Sequence, residues 1–438
     1  MRALVRPLLL LLLFLFTEKL MGQSIEEANL LLMQEEYNKA VIILNNIVKK
    51  DSTDKQALYK LGLSYQGLND FPRAVKVLEY AALKDSENIP LMLSLGKAYK
   101  YSGNYGEAKR KYIKILQLDS LNQAASVNLS ALYVDLQEFR RAKDLYSKLS
   151  QRDTTNSYFF KQLGLCSFKL EDLKSAAEYY EKALHLYSSD VNASLDLSLI
   201  YFKMEKLDSA FMTLHKVYWL YGEDARMDKM LGEIYMKSKN YLFAEKYFKR
   251  AIQNGDSSAA VLQKAGIAVY LVGMFNSPPD SAVLANTFTE SRDLLQRSYT
   301  KYNKDALTPL YLGLSYKELR DYPAAIRFME EALNIAIPSY MSDVYNYLAT
   351  AYDYNGEYQK ALNTYNDALE HNPANKTIYY YMAYIYDKRL SERETALKYY
   401  KRFIEWPEAD KFLKAFAETR VDKLKEEQFF RNGSSQLK

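Results

Sequence analysis

The chain has one cysteine, three histidines and two tryptophans among its 438 residues. With Cys166 alone, no disulfide can close within the chain and no cysteine zinc cluster can assemble. Nor does a lipid-attachable cysteine follow the N-terminal leader. Cys166 falls in a slot that Ala98, Leu132, Ile200 and Ile234 fill elsewhere, so it reads as a small buried hydrophobe rather than a nucleophile. His185, His215 and His371 stand in no metal-ligand spacing and pair with no acid in a catalytic pattern. Phosphate-cradling glycine loops and nucleophile elbows are missing as well. These absences point away from an enzyme and leave no cofactor or metal to expect.

Charge of one sign is also lacking. The 59 basic residues stand against 54 acidic ones, a net charge of +5, too balanced for general nucleic-acid binding. Nor is there a run long enough to span a bilayer. The apolar stretch 8–16 is about half of the roughly 20 residues a spanning helix needs. Following Arg2 and Arg6, it reads as the core of a signal peptide, 1–22, cut after Gly22. Glu18, Lys19 and the bulky Leu20 fit such a cut imperfectly, and retention as a shallow anchor is the alternative. Just past the cut, Ser24-Ile25-Glu26-Glu27 has the form of a capping box that opens a first helix. Removal of the leader leaves no transmembrane segment and a net charge near +3. The expected location is the periplasm or outer envelope of a Gram-negative bacterium.

Repetition is abundant. Ala28, Gly62, Gly96, Ser130, Gly164, Ser198, Gly232 and Gly266 follow one another at intervals of 34 residues. Ala40, Ala74, Ala108, Ala142, Ala176, Ala210 and Ala244 keep the same step, as do Tyr65, Tyr99, Tyr133, Tyr201 and Tyr235. Three ladders of one period define a repeat architecture. Within one period Leu58, Leu61, Gly62 and Tyr65 share a helical face. A turn follows at Gly67-Leu68-Asn69-Asp70, and Ala74, Leu78 and Ala81 stripe a second helix. A Gly within a helix costs about 1 kcal/mol relative to Ala, so its regular return requires close helix approach. Asp51, Asp85, Asp119 and Asp153, again 34 apart, are expected to cap the helix that follows each of them.

The pattern resembles the tetratricopeptide repeat family: Leu95-Gly96, Tyr99, Ala108 and Tyr112 in one unit, Leu231-Gly232, Tyr235, Ala244, Phe248 and Ala251 in another. The resemblance implies an all-α, right-handed superhelical solenoid of about eleven helix-turn-helix units over 23–407. The units are placed at 23–54, 55–88, 89–122, 123–156, 157–190, 191–224, 225–258, 259–305, 306–341, 342–375 and 376–407. Unit eight carries an insertion, since Gly266 and Gly313 are 47 apart. There Pro278-Pro279 should end one element and Asp280-Ser281 begin a lengthened helix. Residues 273–288 read as a tolerated loop, with a lip over the binding groove as the alternative. Two further extra residues fall near Ile337-Pro338-Ser339. A capping helix, 408–430, should bury Phe412, Phe416, Val421 and Leu424, and 431–438 should be a disordered tail.

In such a family first helices line a concave groove, which implies the residues that face a partner. They are Tyr59, Lys97, Lys100, Tyr101, Tyr158, Lys161, Phe168, Lys169, Phe202, Lys203, Arg226, Lys229, Met236, Lys237, Tyr354, Tyr380 and Tyr384. The middle of the groove is then basic and aromatic, suited to an acidic and apolar protein segment, extended or helical. A carboxylate clamp of the kind some relatives use is not formed: Asn128 fits its middle slot, but Leu93, Lys97, Tyr158 and Gln162 occupy the flanking ones. The expected function is a protein-interaction scaffold of the bacterial cell envelope. The alternative is a glycan-associated factor in cell-wall or surface-polysaccharide assembly or export, with Tyr380 and Tyr384 contacting sugar.

Overall fold

Each 34-residue period folds as two helices because its turn is built from one backbone device. The first helix ends in a residue of positive φ: Glu35 (57°), Asn69 (57°), Gly103 (82°), Gln137 (59°), Glu171 (63°), Glu205 (62°) and Lys239 (60°). The next amide reaches back five residues, as Asp70 N–H does to the Tyr65 carbonyl at 2.8 Å and Asn104 N–H to Tyr99 at 2.8 Å. This is the left-handed helix stop that satisfies the last carbonyls. Among the described residues glycine fills this first-helix stop only at Gly103 and Gly356; elsewhere larger residues accept the left-handed conformation.

The computed structural model describes residues 24–222, 224–275, 281–335 and 341–435, so the leader 1–22 and the segment around Pro338 lie outside it. The described residues form 23 helices and no strand. The helix pairs begin with α1 (Ile25–Met33) and α2 (Tyr37–Lys50), α3 (Lys55–Gly67) and α4 (Phe71–Lys84), α5 (Ile89–Tyr101) and α6 (Tyr105–Leu118). They continue with α7 (Gln123–Asp135) and α8 (Phe139–Arg152), α9 (Ser157–Lys169) and α10 (Leu173–Leu186), then α11 (Val191–Lys203) and α12 (Leu207–Tyr221). Next come α13 (Ala225–Lys237) and α14 (Tyr241–Gln253), α15 (Ala259–Phe275) and α16 (Ser281–Lys301), α17 (Leu307–Glu318) and α18 (Tyr322–Ile335). The last are α19 (Met341–Tyr354) and α20 (Tyr358–His371), α21 (Thr377–Lys388) and α22 (Arg393–Ile404), closed by α23 (Lys411–Ser435). Two compact units divide between Met204 and Glu205. Within each, every helix packs on its neighbours along the chain.

Helix starts correct one expectation. The caps are Asp54, Asn88, Asn122, Asn156, Asp190 and Asp224, each accepting an amide of the helix it opens. Asp51, Asp119 and Asp153 stand three positions earlier, at the C-terminal ends of second helices. Their carboxylates hold the turn: Asp51 accepts from Thr53 N–H at 2.8 Å, and Asp119 from Asn122 Nδ2 at 3.1 Å. A cap must sit next to the free amides of the first turn, and three residues is too far.

Inside the pairs that carry glycine the small-residue ladder meets a large side chain from the second helix. A Cβ placed on Gly96 would lie 2.6 Å from the Tyr112 ring; on Gly164, 2.5 Å from Tyr180; on Gly232, 2.7 Å from Phe248. Tyr112, Tyr146, Tyr180, Phe248, Tyr365 and Tyr400 are among the largest fully buried side chains. The tyrosine ladder then ties successive pairs: Tyr99 O–H donates to Glu79 at 2.5 Å, Tyr201 O–H to Glu181, and Tyr352 O–H to Glu330 at 2.5 Å.

The lengthened second helix expected from Ser281 is present as α16, and the first helix α15 is lengthened as well, reaching Phe275 within the segment read as loop. The two helices α15 and α16 have 17 and 21 residues, where most others have 13 or 14. The rings of Phe288 and Tyr270 lie 5.5 Å apart and pack the added turns together. Residues 276–280, with Pro278 and Pro279, lie outside the described residues.

The terminal helix differs from expectation in its buried face. Ala417, Val421 and Leu424 are buried, whereas Phe412 is 87% exposed and Phe416 44%. Five residues separate Phe412 from Ala417, about 140° around a helix of 3.6 residues per turn, which turns it away from α22. Arg420 fixes the register, its guanidinium donating to both oxygens of the buried Asp387 at 2.7 and 2.8 Å. The helix runs on to Ser435, into the segment expected to be a tail.

The close packing at Gly96 yields a test. Val at this position is expected to cost about 1–3 kcal/mol by overpacking against Tyr112. Ser, which fills the same slot as Ser130 in the next unit, should cost less than about 1 kcal/mol. Hydrogen exchange of α5 and α6 amides reads the difference, because repeat arrays open locally.

Candidate protein-binding groove

First-helix positions one, four and five beyond the small ladder leave the buried stripe, as the helical period requires. In the first unit Lys97, Lys169 and Lys203 are exposed. The remaining positions are engaged by the protein itself. Lys100 is only 17% exposed in its side chain and pairs with Asp135 at 2.7 Å. Lys161 pairs with Asp190 at 2.7 Å. Tyr101 stacks on Phe71, with centroids 5.0 Å apart and an interplanar angle of 21°. The Tyr59 hydroxyl accepts from Ser94 Oγ at 3.3 Å, and the Tyr158 hydroxyl meets that of buried Tyr146 at 3.4 Å. Phe168 lies beneath Lys203, whose Nζ is 6.0 Å from the ring centroid. Phe202 is half-buried.

The second unit repeats the theme. Arg226 grips Asp224, the cap of its own helix, at 2.9 Å. Lys229 pairs with Asp256 at 3.9 Å, Lys237 with Glu205 at 3.0 Å, and Lys264 with Glu233. Met236 packs against the cluster around Phe248. Tyr354 is 55% exposed and stacks on Tyr322, centroids 5.5 Å apart. Tyr380 is half-buried among Tyr400, Phe403 and Phe416 at 6.0, 5.5 and 6.0 Å. Tyr384 lies 5.7 Å from the Arg389 guanidinium, which is bound to Asp353 at 3.1 Å.

The lysines read from the sequence as a basic groove are therefore largely neutralised by carboxylates of adjacent helices and turns. The acidic partners were missed because they belong to neighbouring repeats. A spacing of 29 residues would have found one of them, Asp190 for Lys161; the second-helix pairs Lys109–Glu138 and Lys143–Asp172 bridge the same interval. Asp190 shows the effect on a titrating group. Burial pushes its carboxyl upward, but the hydrogen bond from Lys161, the Ala193 amide and the Lys161 charge outweigh burial and hold it below its ordinary value. At Asp196 burial prevails over the Tyr180 hydroxyl and raises the carboxyl.

Cys166 is fully buried, and burial pushes its thiol up to about 11. His215 accepts from Trp219 Nε1 at 3.0 Å, and His371 stacks on Tyr345 with centroids 5.3 Å apart. Among the described residues no three His, Cys, Asp or Glu side chains converge as metal ligands would. No helix among them is long and apolar enough to cross a membrane.

Three family models, each described as Tetratricopeptide repeat, match this chain: one at 304–374, one at 131–191 and 348–410, and one at 56–84. No curated protein matches it. Similar solved structures include a tetratricopeptide repeat protein from Parabacteroides merdae, 16% identical, covering 56% of this chain and 96% of that one, with a TM-score of 0.43. Another is the C-terminal part of a TPR repeat-containing protein from Cytophaga hutchinsonii, at 14% identity, coverage of 55% and 99%, and a TM-score of 0.49. Yeast Tom70 is 14% identical, with coverage of 93% and 96% and a TM-score of 0.36.

The Lys161–Asp190 pair carries a pH prediction. A carboxyl held below its unfolded value contributes stability above that value and loses it as pH falls through the folded one. In Lys161→Met the opposing burial remains, so the Asp190 pKa is expected to rise. Loss of its cap on α11 then begins at higher pH. A carbon-detected NMR titration of Asp190 across the ordinary value of 3.8 measures this; an unchanged midpoint would show that the pair does not set the titration.

Proposed function

Taking as premise that this chain is a tetratricopeptide repeat protein, we propose that it is a binding scaffold whose first-helix face holds a segment of a protein partner in the bacterial cell envelope. Proteins of this family generally mediate protein–protein interactions. The observation that carries the proposal is the division of labour among the lysines. Lys100, Lys161, Lys229 and Lys237 are paired with carboxylates, whereas Lys97, Lys169 and Lys203 are exposed and make no ion pair among the described residues. Those three unpaired cations, with the half-exposed rings of Tyr101 and Tyr158, suit a segment carrying carboxylates between apolar side chains. Aromatic rings bury area at low entropic cost, and the unpaired charges orient the approaching partner.

Export rests on Arg2, Arg6 and the apolar stretch 8–16, and we place the scaffold in the periplasm or at the outer envelope of a Gram-negative cell. The glycan reading gains no support. It needs open ring faces at Tyr380 and Tyr384; the half-buried Tyr380 ring packs against Phe403 and its neighbours, and the Tyr384 ring lies beside the Arg389 guanidinium.

Photocrosslinking in intact cells tests the proposal, with the reactive residue placed at Lys97, at Lys169, or at the exposed second-helix residue Lys148. One envelope protein should be captured from Lys97 and Lys169 and not from Lys148, and Lys97→Glu combined with Lys203→Glu should reduce capture from Lys169 about tenfold. Equal capture from all three positions, capture of cytoplasmic proteins only, or no capture would overturn it.

A further inference from the structure

The unneutralised lysines of the first unit are not confined to the first-helix face. Between the second helices α4 and α6, on the opposite side, lies a cleft of about 600 Å³. Its floor is the start of α5, where Met92 and Leu95 are buried. Its walls carry Lys76 from α4 and Lys111 and Lys114 from α6. Lys114 Nζ reaches the Ser86 carbonyl oxygen at 3.5 Å. No carboxylate forms an ion pair with any of the three lysines among the described residues. The one acid in the lining, Glu79, accepts the Tyr99 hydroxyl at 2.5 Å.

This arrangement is the reverse of the first-helix face, where most cations are matched. Lys111 and Lys114 are half-buried, and cations drawn partly out of water gain more from an incoming carboxylate than fully solvated ones do. Beside them Leu83 is 80% exposed at the end of α4, next to Tyr80 at 38%. A large apolar side chain projecting into solvent at the rim of a basic cleft is a feature of an interaction site.

We propose that the α4–α6 cleft is a second docking site, for an acidic peptide segment whose apolar side chain enters against Leu83 and the α5 floor while its carboxylates meet Lys76, Lys111 and Lys114. Three lysines against one engaged acid give the charge complementarity. The depth to Met92 and Leu95 provides room for a Leu- or Phe-sized anchor. This site is separate from the first-helix groove, so the chain can hold two segments at once, from one partner or from two.

The test selects phage-displayed random dodecapeptides on the full chain, on Lys111→Glu/Lys114→Glu, and on Lys97→Glu as the opposite-face control. Peptides that depend on Lys111 and Lys114 should be rich in Asp and Glu around Leu, Ile or Phe. They should bind at least about tenfold more weakly to the double variant and equally well to Lys97→Glu. Leu83→Asp should weaken the same peptides. The charge-neutral pair Lys111→Gln/Lys114→Gln should give an intermediate loss, and it replaces the Glu pair if that variant's circular dichroism departs from the parent's. Four results would overturn the proposal: no peptide distinguishing the variants, distinguishing peptides without acidic residues, equal loss with Lys97→Glu, or full displacement by single-stranded oligothymidine, which would mark a general anion site.

Discussion

In the glycine-bearing pairs a large side chain of the second helix rests against a small residue of the first, and the remaining architecture depends on that contact. Leu78 faces Gly62, Tyr112 faces Gly96, Tyr180 faces Gly164, Phe248 faces Gly232 and Met329 faces Gly313, all at distances that leave no room for an ordinary Cβ. The contact sets the separation of the two helices and so fixes which residues remain outside. A single pair cannot bury its apolar stripe, and stacking neighbours complete it. The tyrosine ladder connects them, with rings in the core and hydroxyls on acids of the preceding second helix. These hydroxyls are held well above their ordinary pKa, first by burial and then by the neighbouring carboxylate. They remain donors throughout the physiological range.

What the sequence made legible follows the same logic. Period, helix pairing and the core ladders depend on contacts inside one repeat, and these recur at a fixed interval that can be read from the letters. The features that were misread involve two repeats or an exact position in a turn. The capping role given to Asp51 belongs to Asp54, because the helix opens at Lys55, although Asp54, Asn88, Asn122 and Asn156 form a 34-residue ladder of their own. The pairing of Lys100 with Asp135 requires knowing how one first helix lies against the end of the next. Tyr380 was read as a partner-facing residue, and its contact with Phe416 of the terminal helix, an edge-on approach with centroids 6.0 Å apart, lies outside the repeat pattern. In unit eight the lengthened second helix from Ser281 was legible, whereas the extension of α15 to Phe275 fell in a segment read as loop.

For function, the consequence is that several first-helix cations, Lys100, Lys161, Lys229 and Lys237 among them, are settled by carboxylates of the chain itself. Surface ion pairs of this kind contribute little to stability, roughly 0–1 kcal/mol each, but they remove cations from the set that can attract a partner. On the proposed function, recognition falls to cations left without an ion pair beside exposed rings or apolar side chains. On the first-helix face these are Lys97, Lys169 and Lys203; in the α4–α6 cleft they are Lys76, Lys111 and Lys114. On the proposed function, specificity comes from where the charges are left open rather than from the net charge, which is small.

The packing of large on small is tested most directly by a double-mutant cycle at Gly232 and Phe248. Gly232→Leu and Phe248→Ala should each destabilise α13 and α14, one by crowding and the other by leaving a cavity. Combined, the new leucine should occupy the space the ring vacates, so that the double variant recovers at least about 1 kcal/mol relative to the sum of the single losses. Strictly additive losses would contradict the account, because they would mean that the two side chains do not share one space.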